Sequence, residues 1–387
     1  MKLPRKAIQI MVKAILVVCV ASLTRPTPVH GENCSPPWPS GCECGSLGTQ
    51  LILTCLPEDF NETLIVYAHG YVYPQEDLSL PEAELEDTIP IIQTLLDLGF
   101  GFATTSYSVN GYAIEQAEGD LEALVEYFRT SVATADNPVG KVLLVGASEG
   151  GLITTMMLEQ HPDLFAGGLA MCGPVGGMPC QLNYIGDFRV VFDYFFPDVF
   201  YFGMADVPEE ACADWETVYV PAIWEEMQPH ALKTLRLFDI TDAAFDLFDA
   251  TSFADTAETV LKYSICGTND LIDKAGGMPY DNQSTWYDAS WWLNRHVERV
   301  RGDQGAQIYV ADYYQTTGEL DVPLVTLHNL SDPAVPYTHE EVYKQIVAQK
   351  GKSGNLTVLP VLGYGHCDFK PWQVLGAFYI LLNQVTN

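Results

Sequence analysis

The sequence predicts an α/β protein with a mostly parallel central sheet flanked by helices and broken by a large insertion. Short apolar runs bounded by turn residues alternate with stretches that are apolar at helical spacing, first over about 51–172 and again over 321–387. Between them, over 173–320, the alternation fails and aromatic residues and acidic helical patterns take over. Strands alternating with helices imply parallel βαβ units whose sheet is buried on both faces.

Taken in order, Leu51 to Leu56 and Leu64 to Ala68 read as buried strands, each meeting a loop. Asp87 to Leu98 reads as a helix stopped by Gly99. A strand at Phe102 to Ser106 precedes an amphipathic helix at Ile114 to Phe128, and Lys141 to Val145 is a further strand. The rhythm returns at Ala166 to Met171, at Pro323 to Leu327 with a helix at Glu340 to Ala348, and at Leu356 to Val361 with a helix at Trp372 to Leu382. The 173–320 block reads as a cap inserted into the sheet, with Phe238 to Phe248 as one of its helical patterns. Its aromatic run (Phe192, Tyr194, Phe195, Phe196, Phe200, Tyr201, Phe202) serves either as core packing or as a substrate platform.

At the start, Lys2, Arg5, Lys6 and Lys13 precede a short apolar run from Ala14 to Ala21, and small residues and prolines follow. Residues 1–30 therefore read as a secretory signal peptide and its flank, with an uncleaved anchor as the alternative. Removing them takes five basic residues and no acidic one, leaving 14 basic against 50 acidic residues and a charge of −36. Such a surface repels nucleic acid and anionic lipid, and it suits an acidic secreted enzyme or a saline medium. No stable membrane insertion is expected once the leader is gone, so the expected location is secreted or periplasmic.

Ten cysteines in an exported chain point to disulfides, and loss of Cys19 leaves nine. One must stay unpaired or bridge two chains, and Cys367 is the expected free thiol. Cys42 and Cys44 lack the spacing of a zinc site, so no metal is expected. The acidic clusters Glu82 to Asp87 and Glu115 to Glu122 form no calcium loop, and no phosphate-cradling or dinucleotide fingerprint is present, so no cofactor is expected either. Sequons occur at Asn61, Asn282, Asn329 and Asn355.

The chemistry centres on Gly146-Ala147-Ser148-Glu149-Gly150-Gly151, set between the strand Lys141 to Val145 and the helical run Leu152 to His161. Common glycines and serines make the pattern weak by itself; its place between strand and helix makes it informative. A nucleophile there sits on a sharp turn that pushes Ser148 Oγ outward, and the following helix N-terminus aims its amides at an oxyanion.

On these residues the chain resembles the α/β-hydrolase superfamily from about Leu51 onward, with the cap inserted between 31–172 and 321–387. Three further features fit the resemblance. Ala68-His69-Gly70-Tyr71 occupies the place of the oxyanion loop, which implies the backbone N–H groups of Tyr71 and Glu149 as oxyanion donors. An ordinary strand-end turn is the alternative there. Asp332, in His328-Asn329-Leu330-Ser331-Asp332-Pro333, and His366, in Gly363-Tyr364-Gly365-His366-Cys367, follow strands in the family's order of nucleophile, acid and base. Asp332 competes with a turn-forming role before proline, and Asp270 is the substitute acid. His366 competes with a packed histidine. The stretches Pro279 to Asn282 and Asn183 to Arg189 resemble a group of secreted bacterial hydrolases that share the Gly365-His366-Cys367 ending, a group that includes esterases and prolyl-oligopeptidase-like enzymes.

The expected function is hydrolysis of a small-molecule or polymeric carboxylic ester, with Ser148 as nucleophile, His366 as base and Asp332 orienting it. A secreted serine peptidase or amidase is the alternative, and a non-catalytic binding protein on the same fold is a third reading.

Overall fold

The computed structural model describes residues 38–81, 89–287 and 290–386. The expected signal peptide, the Glu82 to Asp87 cluster and the first residues of the helix expected at Asp87 lie outside them. Eight strands form one sheet: β1 (Cys42–Leu47), β2 (Gln50–Cys55), β3 (Thr63–Ala68), β4 (Gly101–Thr105), β5 (Lys141–Ala147), β6 (Gly167–Met171), β7 (Leu324–Ser331) and β8 (Leu356–Tyr364). Their spatial order is β1-β2-β4-β3-β5-β6-β7-β8. From β4 to β8 all pairings are parallel, as expected from the alternation. The sequence reading missed β1 and treated β2 as part of the parallel set. In fact β1 and β2 form a hairpin, and β2 runs antiparallel to β4. The exposed, Gly- and Cys-rich β1 lacks the apolar run that marks a buried strand, and the turn at Gly48 (φ 65°) sends the chain back.

Helices α1 (Ile89–Asp97) and α12 (Pro371–Thr386) pack on one face of the sheet around Leu53, Ile65, Phe102, Leu169 and Val325. The other face carries α2 (Ile114–Tyr127), α3 (Glu149–Gln160), α10 (Gln304–Tyr313) and α11 (Thr338–Gln349) around Leu64, Val66, Leu144 and Leu324. Odd and even residues of one strand thus enter different cores, which is why these strands read as unbroken apolar runs.

Between β6 and β7 the chain forms α4 (Met178–Phe195), α5 (Val220–Met227), α6 (Ala231–Thr241), α7 (Ser252–Cys266), α8 (Thr268–Ala275), α9 (Trp291–His296) and α10, with no strand among the described residues. Phe188, Phe192, Phe196, Trp215, Ile223, Leu237 and Leu261 build a separate apolar cluster there. The aromatic run is packing: Phe192, Phe196 and Phe200 are buried, and Tyr201 points to solvent. The helix expected over Phe238 to Phe248 ends at Thr241, because Asp242 adopts a left-handed conformation that breaks the ladder. Asp187 accepts hydrogen bonds from Tyr280 and Tyr287, both at 2.7 Å, tying α4 to the 280–287 loop.

Disulfides join Cys42 to Cys55, Cys172 to Cys367 and Cys212 to Cys266. The free cysteine among the described residues is Cys180. The expectation for Cys367 is therefore corrected. β6 and β8 flank β7, so the residues just beyond their carboxyl ends meet over it, and the Cα atoms of Cys172 and Cys367 lie 5.3 Å apart. Asn282 and Asn329 are buried, which removes both as glycosylation acceptors.

Candidate active site

Ser148 is the residue at which β5 turns into α3, at φ 55° and ψ −124°. Two glycines make this turn sterically feasible. A Cβ at Gly146 would lie 2.1 Å from the Gly150 carbonyl oxygen, and one at Gly150 would lie 2.0 Å from that of Ala68. The Ser148 N–H donates to Met171 O at 2.9 Å, pinning the strained residue to β6.

His366 lies in the loop after β8. Its Nε2 is 2.9 Å from Ser148 Oγ, and its Nδ1 is 2.8 Å from Asp332 Oδ2 and 3.1 Å from Oδ1. With Nδ1–H donating to the carboxylate, Nε2 is left to accept from the serine hydroxyl. The loop reaches this position through glycines at φ 146° (Gly363) and 132° (Gly365). Tyr364 anchors it to α7, sharing a 2.8 Å hydrogen bond with Thr256 and donating to Ser252 O. The structure thus brings together the three residues the sequence singled out. Asp270 is elsewhere: it accepts from Tyr112 N–H and pairs with Lys274 at 3.0 Å.

Asp332 is buried just past β7, and its Oδ1 accepts the N–H groups of Ala334 and Val335, both at 2.9 Å. Burial pushes this carboxyl up, but attraction to His366 and hydrogen bonds from His328 and His366 outweigh it and hold the pKa at about 2. His328, four residues before Asp332 in the same motif, carries no sign in the sequence of a part in the site. Its Nε2 donates to Val335 O at 2.9 Å and lies 3.5 Å from Asp332 Oδ2, while Nδ1 is 3.3 Å from Glu340 Oε1. Burial opposes its charge, yet Asp332 and Glu340 raise its pKa to about 10, so it stands as a cation behind the acid. Two side chains of α4 complete the support: Gln181 donates to Ala334 O and Tyr184 to Pro333 O, both at 2.8 Å.

Tyr71 and Glu149, the expected oxyanion donors, border a small cleft together with Ser148, Tyr112, Gln181 and Tyr263. Parallel pairing of β3 with β5, Ala68 opposite Gly146, sets the loop after β3 beside the start of α3. Tyr107 steadies that loop by stacking on His69 at 4.1 Å and donating to His69 O. The Glu149 carboxyl, whose side chain the sequence reading did not use, accepts from Ala113 N–H at 2.9 Å. Burial raises its pKa to about 8, against the opposing pull of Lys274 and the Ala113 N–H. At neutral pH it is mostly uncharged, so it adds little repulsion where negative charge would develop.

A second, larger cavity of about 610 Å³ opens at Ser148 and His366 on the α1/α12 face of the sheet. None of the aromatic run from Phe192 to Phe202 borders either cavity.

The eight-stranded order, the antiparallel β2 and the strand-turn-helix at Ser148 together define an α/β-hydrolase fold. The sequence matches no protein-family model and no curated protein. Among solved structures it is similar to Est1E from Butyrivibrio proteoclasticus, at 12% identity and a TM-score of 0.43, covering 90% of this chain and 100% of that one. An esterase from Pyrococcus furiosus gives 12% identity and a TM-score of 0.45, covering 94% and 100%. Candida antarctica lipase A gives 13% and 0.45, covering 87% and 73%.

Proposed function

We propose that the chain is a secreted serine hydrolase that cleaves carboxylic esters through an acyl-enzyme on Ser148. The observation that carries this reading is the continuous hydrogen-bond line from Ser148 Oγ through His366 to Asp332, at 2.9 and 2.8 Å. In the proposed cycle Ser148 Oγ attacks the carbonyl carbon as its proton passes to His366 Nε2, and Asp332 stabilises the imidazolium. The oxyanion lies against the N–H groups of Tyr71 and Glu149, each worth about 3 kcal/mol. His366 then protonates the leaving alcohol, and a water deprotonated by the same imidazole releases the acid. The helical block over 173–320 acts as a cap, since Gln181, Tyr184 and Thr256 hold the acid and base loops. The three disulfides and the leader-like start favour an extracytoplasmic site of action. Esters rank above peptides because the apolar cavity at Ser148 would leave the polar groups of a peptide backbone unpaired.

Labelling with a fluorophosphonate tests the nucleophile, and turnover of p-nitrophenyl esters against peptidyl amides tests the bond. Wild type should be labelled and Ser148→Ala should not, with esters turned over faster. Equal labelling of the two, or none in either, would remove the catalytic reading; amide turnover without ester turnover would replace the esterase with a peptidase.

A further inference from the structure

We propose that the cavity on the α1/α12 face of the sheet is the acyl-binding site, and that it takes an unbranched medium- to long-chain fatty acyl group. This rests on the reading of Ser148 as nucleophile. Position is the first argument. The cavity of about 610 Å³ begins at Ser148 and His366 and falls within the roughly 300–1,000 Å³ typical of ligand sites. It runs down the sheet rather than along its top edge. β5 contributes Ala147 and then Val145 to the wall, and β6 contributes Met171 and then Leu169. Successive same-face residues are about 7 Å apart along a strand, so the space extends at least one full pleat below the nucleophile.

Chemistry is the second argument. Tyr67 pairs with Val145 and stands one pleat below the nucleophile; deeper still the wall consists of side chains such as Ile65 and Phe102, with Leu95 and Phe378 from the helices, which offer no hydrogen-bonding group. A hydroxylated aromatic acid driven past Tyr67 would bury its hydroxyl among these side chains without a partner. An alkyl chain loses nothing and gains about fourfold in binding for each methylene removed from water. The small cleft toward Tyr112 and Gln181 is left for the alcohol side.

The test is a series of p-nitrophenyl esters from acetyl to hexadecanoyl, with a hydroxycinnamoyl ester alongside. The expected result is kcat/KM rising by up to fourfold per methylene through the short chains to an optimum at octanoyl or longer, with the hydroxycinnamoyl ester poor. In Val374→Phe, which places a ring in the cavity wall, the dodecanoyl-to-butyryl ratio should fall at least tenfold. A ratio unchanged in a normally melting Val374→Phe, or a wild-type profile that falls from acetyl onward, would overturn the proposal. If that variant does not fold, the wild-type series still decides. Ser148→Ala should bind dodecanoate but not butyrate in displacement of a fluorescent fatty acid. Such binding without any ester turnover would keep the cavity and remove the hydrolase; fluorophosphonate labelling of wild type without such binding would do the reverse.

Discussion

Ser148 occupies a backbone region that costs about 1–3 kcal/mol, and its neighbours are glycines because any Cβ at Gly146 or Gly150 would collide with backbone oxygen. That local necessity made Ser148, the proposed nucleophile, legible in the sequence: the motif, the strand before it and the helix after it all lie within about twenty residues. His366 was legible for a similar reason, as the histidine at the tip of a strand. The His328–Asp332–Glu340 cluster was not, because it depends on how α11 packs against β7. His328 gives the residue-scale prediction. Asp332 titrates below its usual value, so its stabilising contribution is present above about pH 4 and is lost as pH falls through 2. The His328 contribution has the opposite sense, complete below about pH 6.5 and lost as pH rises through 10. His328→Gln removes a buried cation beside two carboxylates and should cost about 3 kcal/mol at pH 7. It should also raise the acid midpoint of unfolding, since Asp332 loses an attraction that kept it ionised. Urea melts at pH 7 and an acid titration followed by tryptophan fluorescence check both; an unchanged acid midpoint would separate His328 from the acid.

Among elements, the parallel strands and their helices could be read from the alternation, whereas the β1–β2 hairpin and the Cys172–Cys367 bond could not. Pairing of cysteines 195 residues apart depends on which strands end side by side, and the sequence order of β6, β7 and β8 does not announce that. The bond ties the loop after β6 to the loop of His366, and both cysteines sit at positive φ, at 48° and 54°. Cys172→Ala combined with Cys367→Ala should therefore lower kcat at least tenfold, since a shift of about 1 Å in a catalytic group can cost a hundredfold. Stability should fall by about 2–5 kcal/mol. Steady-state kinetics and thermal melts read the two effects, and full activity in the double variant would show that the glycine turns and Tyr364 hold His366 unaided.

For the whole molecule, the formal charge of −31 outweighs every ion pair in the structure. Several basic side chains already pair with carboxylates at the surface, among them Lys262 with Glu216, Lys344 with Glu341 and Lys350 with Glu319, so most of the excess is unneutralised acid. Such pairs are each worth about 0–1 kcal/mol, too little to offset repulsion summed over the surface. Raising NaCl from 10 mM to 1 M shortens the screening length from about 30 to about 3 Å and should raise Tm by a few degrees. A Tm that falls with salt would mean that the pairs, not the repulsion, dominate. Composition made this property legible before any fold was known.

The Cys172–Cys367 bond has a topological consequence as well. The residues between its ends include every helix from α4 to α11, and the Cys212–Cys266 bond closes a smaller ring inside the larger one. A protease that cuts anywhere in that span produces two polypeptides that stay joined at the site itself, because the link sits beside Ser148 and His366 rather than out among the helices from α4 to α9. Cut in that span, this molecule is clipped without being taken apart.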